Sequence, residues 1–243
     1  MRTALVIWLL LTGSAFALPF QEAADESADL GPWATEANPD LPNVLILGDS
    51  ISIGYTRQVK TLLDGKANVF RPNKNRGKNP ENCAGTTRGL TEIDRWIGDR
   101  RWDVIHFNWG LHDLKHVDPD SGKNSNSFDD PHQADPDAYR ENLTKLVGKL
   151  KATNAKLIFA TTTAFPDGTK PARASDDAAR YNTLALEIMK ANEIRINDLY
   201  ELTEDRLDEL QQPRNVHFKP AGNEVLAKQV ADSITAALEK TIE

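Results

Sequence analysis

The chain has 243 residues, 40% hydrophobic and 27% charged, which suits one sizeable α/β domain or two small ones and excludes wholesale disorder. With 36 acidic against 29 basic residues the net charge is −7, a poor surface for general binding of nucleic-acid phosphate. The single cysteine, Cys83, excludes an intrachain disulfide and a zinc site built from several thiolates, and no stretch is long enough for an ordinary membrane span.

Met1-Arg2-Thr3 is a short basic start, Ala4 to Leu11 is an apolar run too short to cross a bilayer, and Ala15-Phe16-Ala17 is a small-residue cleavage site. That order predicts a secretory signal peptide over residues 1–17, with a buried N-terminal helix as the alternative, and hence a secreted or periplasmic protein. Residues 18–41 carry Glu22, Asp25, Glu26, Asp29, Glu36 and Asp40 without one Lys or Arg, and are interrupted by Pro19, Pro32 and Pro39. They read as an acidic flexible leader, loosely packed, with Trp33 as a docking group. The folded domain is expected over residues 42–243.

From there apolar runs and helical stripes alternate. Val44 to Leu47 is continuously apolar, as a strand buried on both faces requires. Ile53, Val59, Leu62 and Leu63 give a loose helical face; Ala67 to Phe70 is a second strand; Leu90, Ile93, Trp96 and Ile97 recur at helical spacing. Val104 to Phe107 is a third strand, Tyr139, Leu143, Leu146, Val147 and Leu150 a helix, and Leu157 to Ala160 a fourth strand. Tyr181, Leu184, Ala185, Ile188 and Met189 mark another helix, Ile194 to Ile196 a fifth strand, and Val225, Leu226, Val230, Ile234 and Leu238 a closing helix. Five strands separated by helices imply right-handed crossovers and a three-layer α/β/α sandwich around a five-stranded parallel sheet. Ligands of such sheets bind at the carboxyl ends of the strands.

Polar residues and glycines gather at those ends. The first strand runs into Gly48-Asp49-Ser50-Ile51-Ser52, where a hydroxyl and a backbone N–H at the start of a helix face the functional edge; a plain helix cap is the competing reading. Gly85, in Asn82-Cys83-Ala84-Gly85-Thr86, offers a bare N–H near the same edge, while Cys83 reads as a small buried or loop residue. The third strand leads to Asn108-Trp109-Gly110-Leu111-His112-Asp113, and Asn215-Val216-His217 precedes the closing helix. An early serine and a late histidine are the pair that acyl transfer needs, the imidazole taking the serine proton and returning it to the leaving alcohol.

These blocks, in this order, resemble the SGNH (GDSL) hydrolase superfamily over about residues 43–240. The resemblance implies a flavodoxin-like α/β fold and an ester hydrolase with no cofactor. Residue by residue, it implies Ser50 as nucleophile, His217 as general base and acid, and an oxyanion hole from the N–H groups of Ser50 and Gly85 with a ring N–H of His112. Two positions depart from the pattern. His112 stands where the family has asparagine, and Arg214 stands where it has the aspartate that orients the histidine. The expectation is that Arg214 turns away from His217, and that the His217 Nδ1 proton goes to a backbone carbonyl or to a carboxylate distant in sequence. Asn108, Trp109 and Arg214 are the candidate substrate contacts.

Leu114 to Asp137 is nearly all polar and lacks the apolar face of a lipase lid, so a substrate loop there favours an acylated carbohydrate; a solvated excursion is the alternative. Arg71, Lys74, Arg76 and Lys78 form a basic run, read as a solvated loop or as a hold on an anionic glycan. The sequon at Asn142 falls on a predicted helix and is discounted. Rival readings are a metal hydrolase using His106, His112, His116 and Asp113, a silent glycan-binding relative, and a lipid- or thioester-directed esterase. The favoured one is an exported serine esterase that removes O-acetyl groups from a carbohydrate, with no metal, nucleic acid or integral membrane association.

Overall fold

The computed structural model describes residues 30–239, so the expected signal peptide and the first part of the leader lie outside the described residues. The sheet contains β1 (Asn43–Leu47), β2 (Asn68–Phe70), β5 (Val104–Phe107), β6 (Lys156–Ala160) and β7 (Arg195–Asn197). Its order is β2-β1-β5-β6-β7 and every pair is parallel, with Leu47 opposite Phe107 and Phe107 opposite Phe159. Val44 to Leu47 and Val104 to Phe107 are buried throughout, which is why the first reads as a continuous apolar run and the second is apolar but for His106. Each fully buried aliphatic side chain there contributes about 1.5–3 kcal/mol of burial.

The helices are α1 (Ser50–Leu62), α2 (Thr86–Ile97), α3 (Pro136–Lys151), α4 (Asp177–Ala191), the short α5 (Leu199–Glu204) and α6 (Leu207–Leu210), and α7 (Pro220–Glu239). α1 packs along α7, and α2, α3 and α4 pack in series. The predicted stripes account for this: Tyr139, Leu143, Leu146, Val147 and Leu150 of α3 are all buried. β1 lies between β2 and β5, so the chain leaves it to opposite sides of the sheet; the carboxyl end of β1 is the switch point where ligands of such sheets sit.

Two segments differ from their sequence readings. Residues 31–38 are bonded to the domain rather than loose: Gly31 N–H donates to Arg76 O, Trp33 N–H to Gly77 O, and Thr35 Oγ1 to Val69 O. The Lys60 ammonium donates to the carbonyls of Trp33 and Ala34. A Cβ on Gly31 would lie 2.3 Å from Lys78 N, so this backbone approach requires glycine. Such bonds need no side-chain periodicity, which is why composition alone does not announce them. The basic run is likewise not one solvated loop. It contains a two-stranded ribbon, β3 (Asn73–Lys74) with β4 (Asn79–Pro80), and begins with Arg71, which is buried.

Candidate active site

Ser50 is the first residue of α1, at the switch point. Asp49 caps the helix by accepting from Ile51 N–H at 2.9 Å, so capping falls to the aspartate and the serine hydroxyl is left for other work. Beneath this turn lies Arg71. Its Nη2 donates to Gly48 O and Glu81 O, both at 3.0 Å, and its Nη1 to Ser52 Oγ and Thr56 Oγ1. One guanidinium therefore fastens the end of β1, the first turns of α1 and the segment leading to Gly85.

The Ser50 hydroxyl meets His217, its Oγ 2.9 Å from Nε2, across 167 positions of sequence. The other ring nitrogen, Nδ1, is 2.8 Å from Asn215 Oδ1, which also accepts the His217 backbone N–H at 3.0 Å. The amide orientation is fixed by that backbone donor. Reversing the amide would set its NH2 group against the His217 N–H, so oxygen must face the histidine. An amide oxygen accepts, hence Nδ1 carries the proton and Nε2 presents its lone pair to Ser50. The acceptor is thus neither a backbone carbonyl nor a distant carboxylate, as the sequence suggested, but a neutral side chain two residues away. A short turn places it there: Gln212 N–H bonds to His217 O and Asn215 N–H to Gln212 O. Arg214 sits at a left-handed φ of 53°, exposed, with its guanidinium against Gly168.

Gly85 is the N-cap residue of α2, with no capping side chain of its own. Asp113 supplies the cap from a remote segment, its Oδ1 accepting Thr86 N–H at 2.8 Å and Thr86 Oγ1 at 2.5 Å. A Cβ on Gly85 would lie 3.0 Å from that carboxylate and 2.8 Å from Gln133 Nε2, so any larger residue would have to push both side chains aside. Complete burial pushes the Asp113 carboxyl up to about 7, against the Thr86 donors, which favour its charged form. Neither Ser50 N–H nor Gly85 N–H has a hydrogen-bond partner among the described residues.

His112 is half-buried, and burial pushes its imidazole down; the charge of Asp49 opposes this, while Lys115, Arg173 and His217 reinforce it. A neutral ring retains one N–H to donate. The buried Arg173 holds this segment by donating from Nε to Leu111 O at 3.0 Å.

The remaining candidates divide. Asn108 is half-buried at the end of β5 and its amide donates to Ala160 O, tying β5 to β6. Trp109 is not a substrate contact: its ring is wholly buried, tilted against Phe107 with centroids 6.0 Å apart, in the layer beneath the edge. A tryptophan at a strand end gives the same sequence signal whether it faces cleft or core. His106, His112 and His116 do not converge. His106 is buried against Tyr55, accepts from Asn197 Nδ2 and is pushed down to about 3 by burial, while His116 turns towards His132. Burial raises the Cys83 thiol to about 11, so it stays protonated. Sequence reasoning missed Asn215, Asp113 and Arg71; the first two lie inside motif blocks that carried a signal, the third only in a charge run.

The sequence profile of the GDSL-like lipase/acylhydrolase family matches residues 46–225. The chain belongs to this family. Among solved structures, this GDSL-like chain is similar to a lipase/acylhydrolase from Enterococcus faecalis, with a TM-score of 0.64 at 20% identity over 80% of this chain and 96% of that one. It is similar also to an acetylxylan esterase from Geobacillus stearothermophilus, with a TM-score of 0.62 at 17% identity over 79% and 94%. A third likeness is to the acetyl xylan esterase AlAXEase, with a TM-score of 0.60 at 16% identity over 79% and 99%. No curated protein matches the sequence. At these identities the likenesses establish the fold, which for this GDSL-like chain is the parallel sheet flanked by helices described above.

Proposed function

We propose that the protein is a serine esterase that removes O-acyl groups, chiefly O-acetyl, from a carbohydrate. The observation that carries this is the 2.9 Å contact between Ser50 Oγ and a His217 Nε2 whose lone pair faces it because Asn215 holds the proton on Nδ1. Ser50 attacks the ester carbonyl carbon while Nε2 takes its proton. Negative charge collects on the former carbonyl oxygen, where the N–H groups of Ser50 and Gly85 and the His112 ring donate. The imidazolium then protonates the departing sugar oxygen and the C–O bond breaks. Water, deprotonated by the same nitrogen, releases acetate from the acyl-serine. Asn215 offers the imidazolium a dipole rather than a full charge, so its part is tautomer and ring orientation more than charge stabilisation.

The carbohydrate preference has two supports: the acetylxylan esterases among the similar folds, and the polar character of residues 114–137, which offers a lipid chain no apolar face. The test is release of acetate from acetylated xylan and other acetylated polysaccharides, alongside turnover of 4-nitrophenyl acetate. Both are expected, and both are expected to vanish in Ser50→Ala. Turnover of the aryl ester with no acetate from any polysaccharide overturns the carbohydrate assignment. No turnover of either, with polysaccharide still bound, leaves a glycan-binding protein.

A further inference from the structure

The polar excursion after β5 does not end in solvent. His116 and His132 pair as an antiparallel bridge across its two stems, with their rings stacked at 4.6 Å between centroids and tilted by 39°. Asp177, the first residue of α4, reaches the same point, its Oδ2 accepting from His132 Nε2 at 2.9 Å. One ring nitrogen from each histidine and one carboxylate oxygen lie within 4.8 Å of one another. His116 and Asp177 are buried, and the His132 side chain is only 17% exposed.

Protonation states follow from the partners. His116 Nδ1 lies against Asp130 O at 2.5 Å; a carbonyl can only accept, so Nδ1 carries the proton and Nε2 keeps a free lone pair. An imidazole anchored through one nitrogen to a carbonyl, with its other nitrogen free, is the usual condition of a metal-bound histidine. Among the described residues the only Lys or Arg beside Asp177 is Arg180, 4.0 Å away and 61% exposed, too remote and too hydrated to neutralise the carboxylate. Two imidazoles and a carboxylate are borderline donors. They suit zinc and its transition-metal neighbours, whereas calcium and magnesium require oxygen ligands throughout. Zinc bonds of about 2.0–2.1 Å place ligand atoms roughly 3.3 Å apart, so the present spacing closes with small side-chain movements.

We propose that His116, His132 and Asp177 form a zinc site that clasps the excursion over residues 114–135 onto the start of α4. On binding, His132 shifts its proton from Nε2 to Nδ1 and coordinates through Nε2, and Asp177 exchanges the lost hydrogen bond for the metal. The site is separate from the Ser50–His217 pair and does not rest on the proposed esterase activity. It does fix the segment that follows His112.

Metal-free protein titrated with zinc against a chromogenic chelator tests this. The expected result is one zinc per chain with a Kd of about 10 μM or tighter, and a Tm raised by about 5–10 °C at a hundredfold excess over Kd. Asp177→Asn and His132→Gln should each weaken binding by about 100-fold or more, whereas His112→Ala and His217→Ala should bind as the unaltered chain does. Failure of the unaltered chain to bind zinc more tightly than about 100 μM overturns the proposal, as does loss of binding in His217→Ala, which would move the metal to the other site. Should the Asp177 or His132 variants misfold by circular dichroism, the visible spectrum of the cobalt-substituted unaltered chain decides: absorption from nitrogen and oxygen ligation supports the site, and a spectrum of hydrated cobalt overturns it.

Discussion

Ser50 stands on a turn braced from beneath by a buried guanidinium, whereas His217 stands on an exposed turn braced by one neighbouring amide. Beneath Ser50 the bonds of Arg71 and the Asp49 cap are made away from water, so each one lost leaves an orphaned group and costs stability. Around His217 water replaces whatever is lost, so a change there costs little stability and acts on the tautomer and orientation of the ring. The proposed active pair therefore has one half set by tertiary packing and one half set by local sequence. Substitutions should separate the halves, one through the melting temperature and the other through turnover.

The largest effect is expected at the hydroxyl itself: Ser50→Ala should lower ester turnover by about 10³-fold or more with the Tm nearly unchanged, and residual activity above about a tenth would break the assignment. Next, Arg71→Met removes the donors to Gly48 O, Glu81 O, Ser52 and Thr56 while keeping much of the volume. Stability should fall by about 3 kcal/mol, read in thermal melts as roughly 6–12 °C; an unchanged Tm would show that Arg71 braces nothing. His112→Ala should cost about 10²-fold in kcat, with His112→Asn restoring part of it, because an amide can also donate; an effect confined to KM would make it a binding residue instead.

Asp113 tests the buried half by pH. Its carboxyl is raised from 3.8 to about 7, so between these values the folded chain holds a proton that the unfolded chain has released. Stability from this group is complete below about pH 4 and is lost as pH rises through 7, on the order of 4 kcal/mol in all. Asp113→Asn should remove that slope in denaturant titrations at pH 5 and pH 8; an identical slope in the variant would exclude Asp113 as its source. The smallest effect belongs to the exposed half. Asn215→Ala should lower turnover by about 10-fold at an unchanged Tm, and Asn215→Asp should match or exceed the original turnover while its acid limb moves to higher pH, since a carboxylate favours the protonated ring.

The sheet was legible because its central strands are buried on both faces. Val44 to Leu47, Val104 to Phe107 and Leu157 to Ala160 contain no alternation to confuse, and glycine or polar residues end them. The Ser50 and His217 blocks were legible as ordered motifs with a family resemblance. What escaped depends on where a side chain points. Arg71 is one of four basic residues in a run, and charge alone does not tell a buried strut from the solvated Lys74 beside it. Trp109 has the same neighbours in sequence whichever side it faces. Asn215 was overlooked because the expected partner was a carboxylate three residues before the histidine, while the turn here presents an amide from two residues before. The His116, His132 and Asp177 cluster joins residues up to 61 positions apart, with no common motif to link them.

The separation of 167 positions between Ser50 and His217 has a consequence for the order of assembly. His217 is placed by the turn just ahead of α7, and α7 docks on α1, the helix that begins with Ser50. Contacts this distant in sequence carry a high loop-closure cost and form late. During synthesis, with the amino-terminal part emerging first, β1, α1 and the Arg71 brace can form while His217 is still unmade. On the proposed mechanism the serine is then a latent alcohol, no more reactive than any other, until α7 docks on α1. Acyl chemistry at the proposed pair is in this way a report that the domain has closed from β1 to α7.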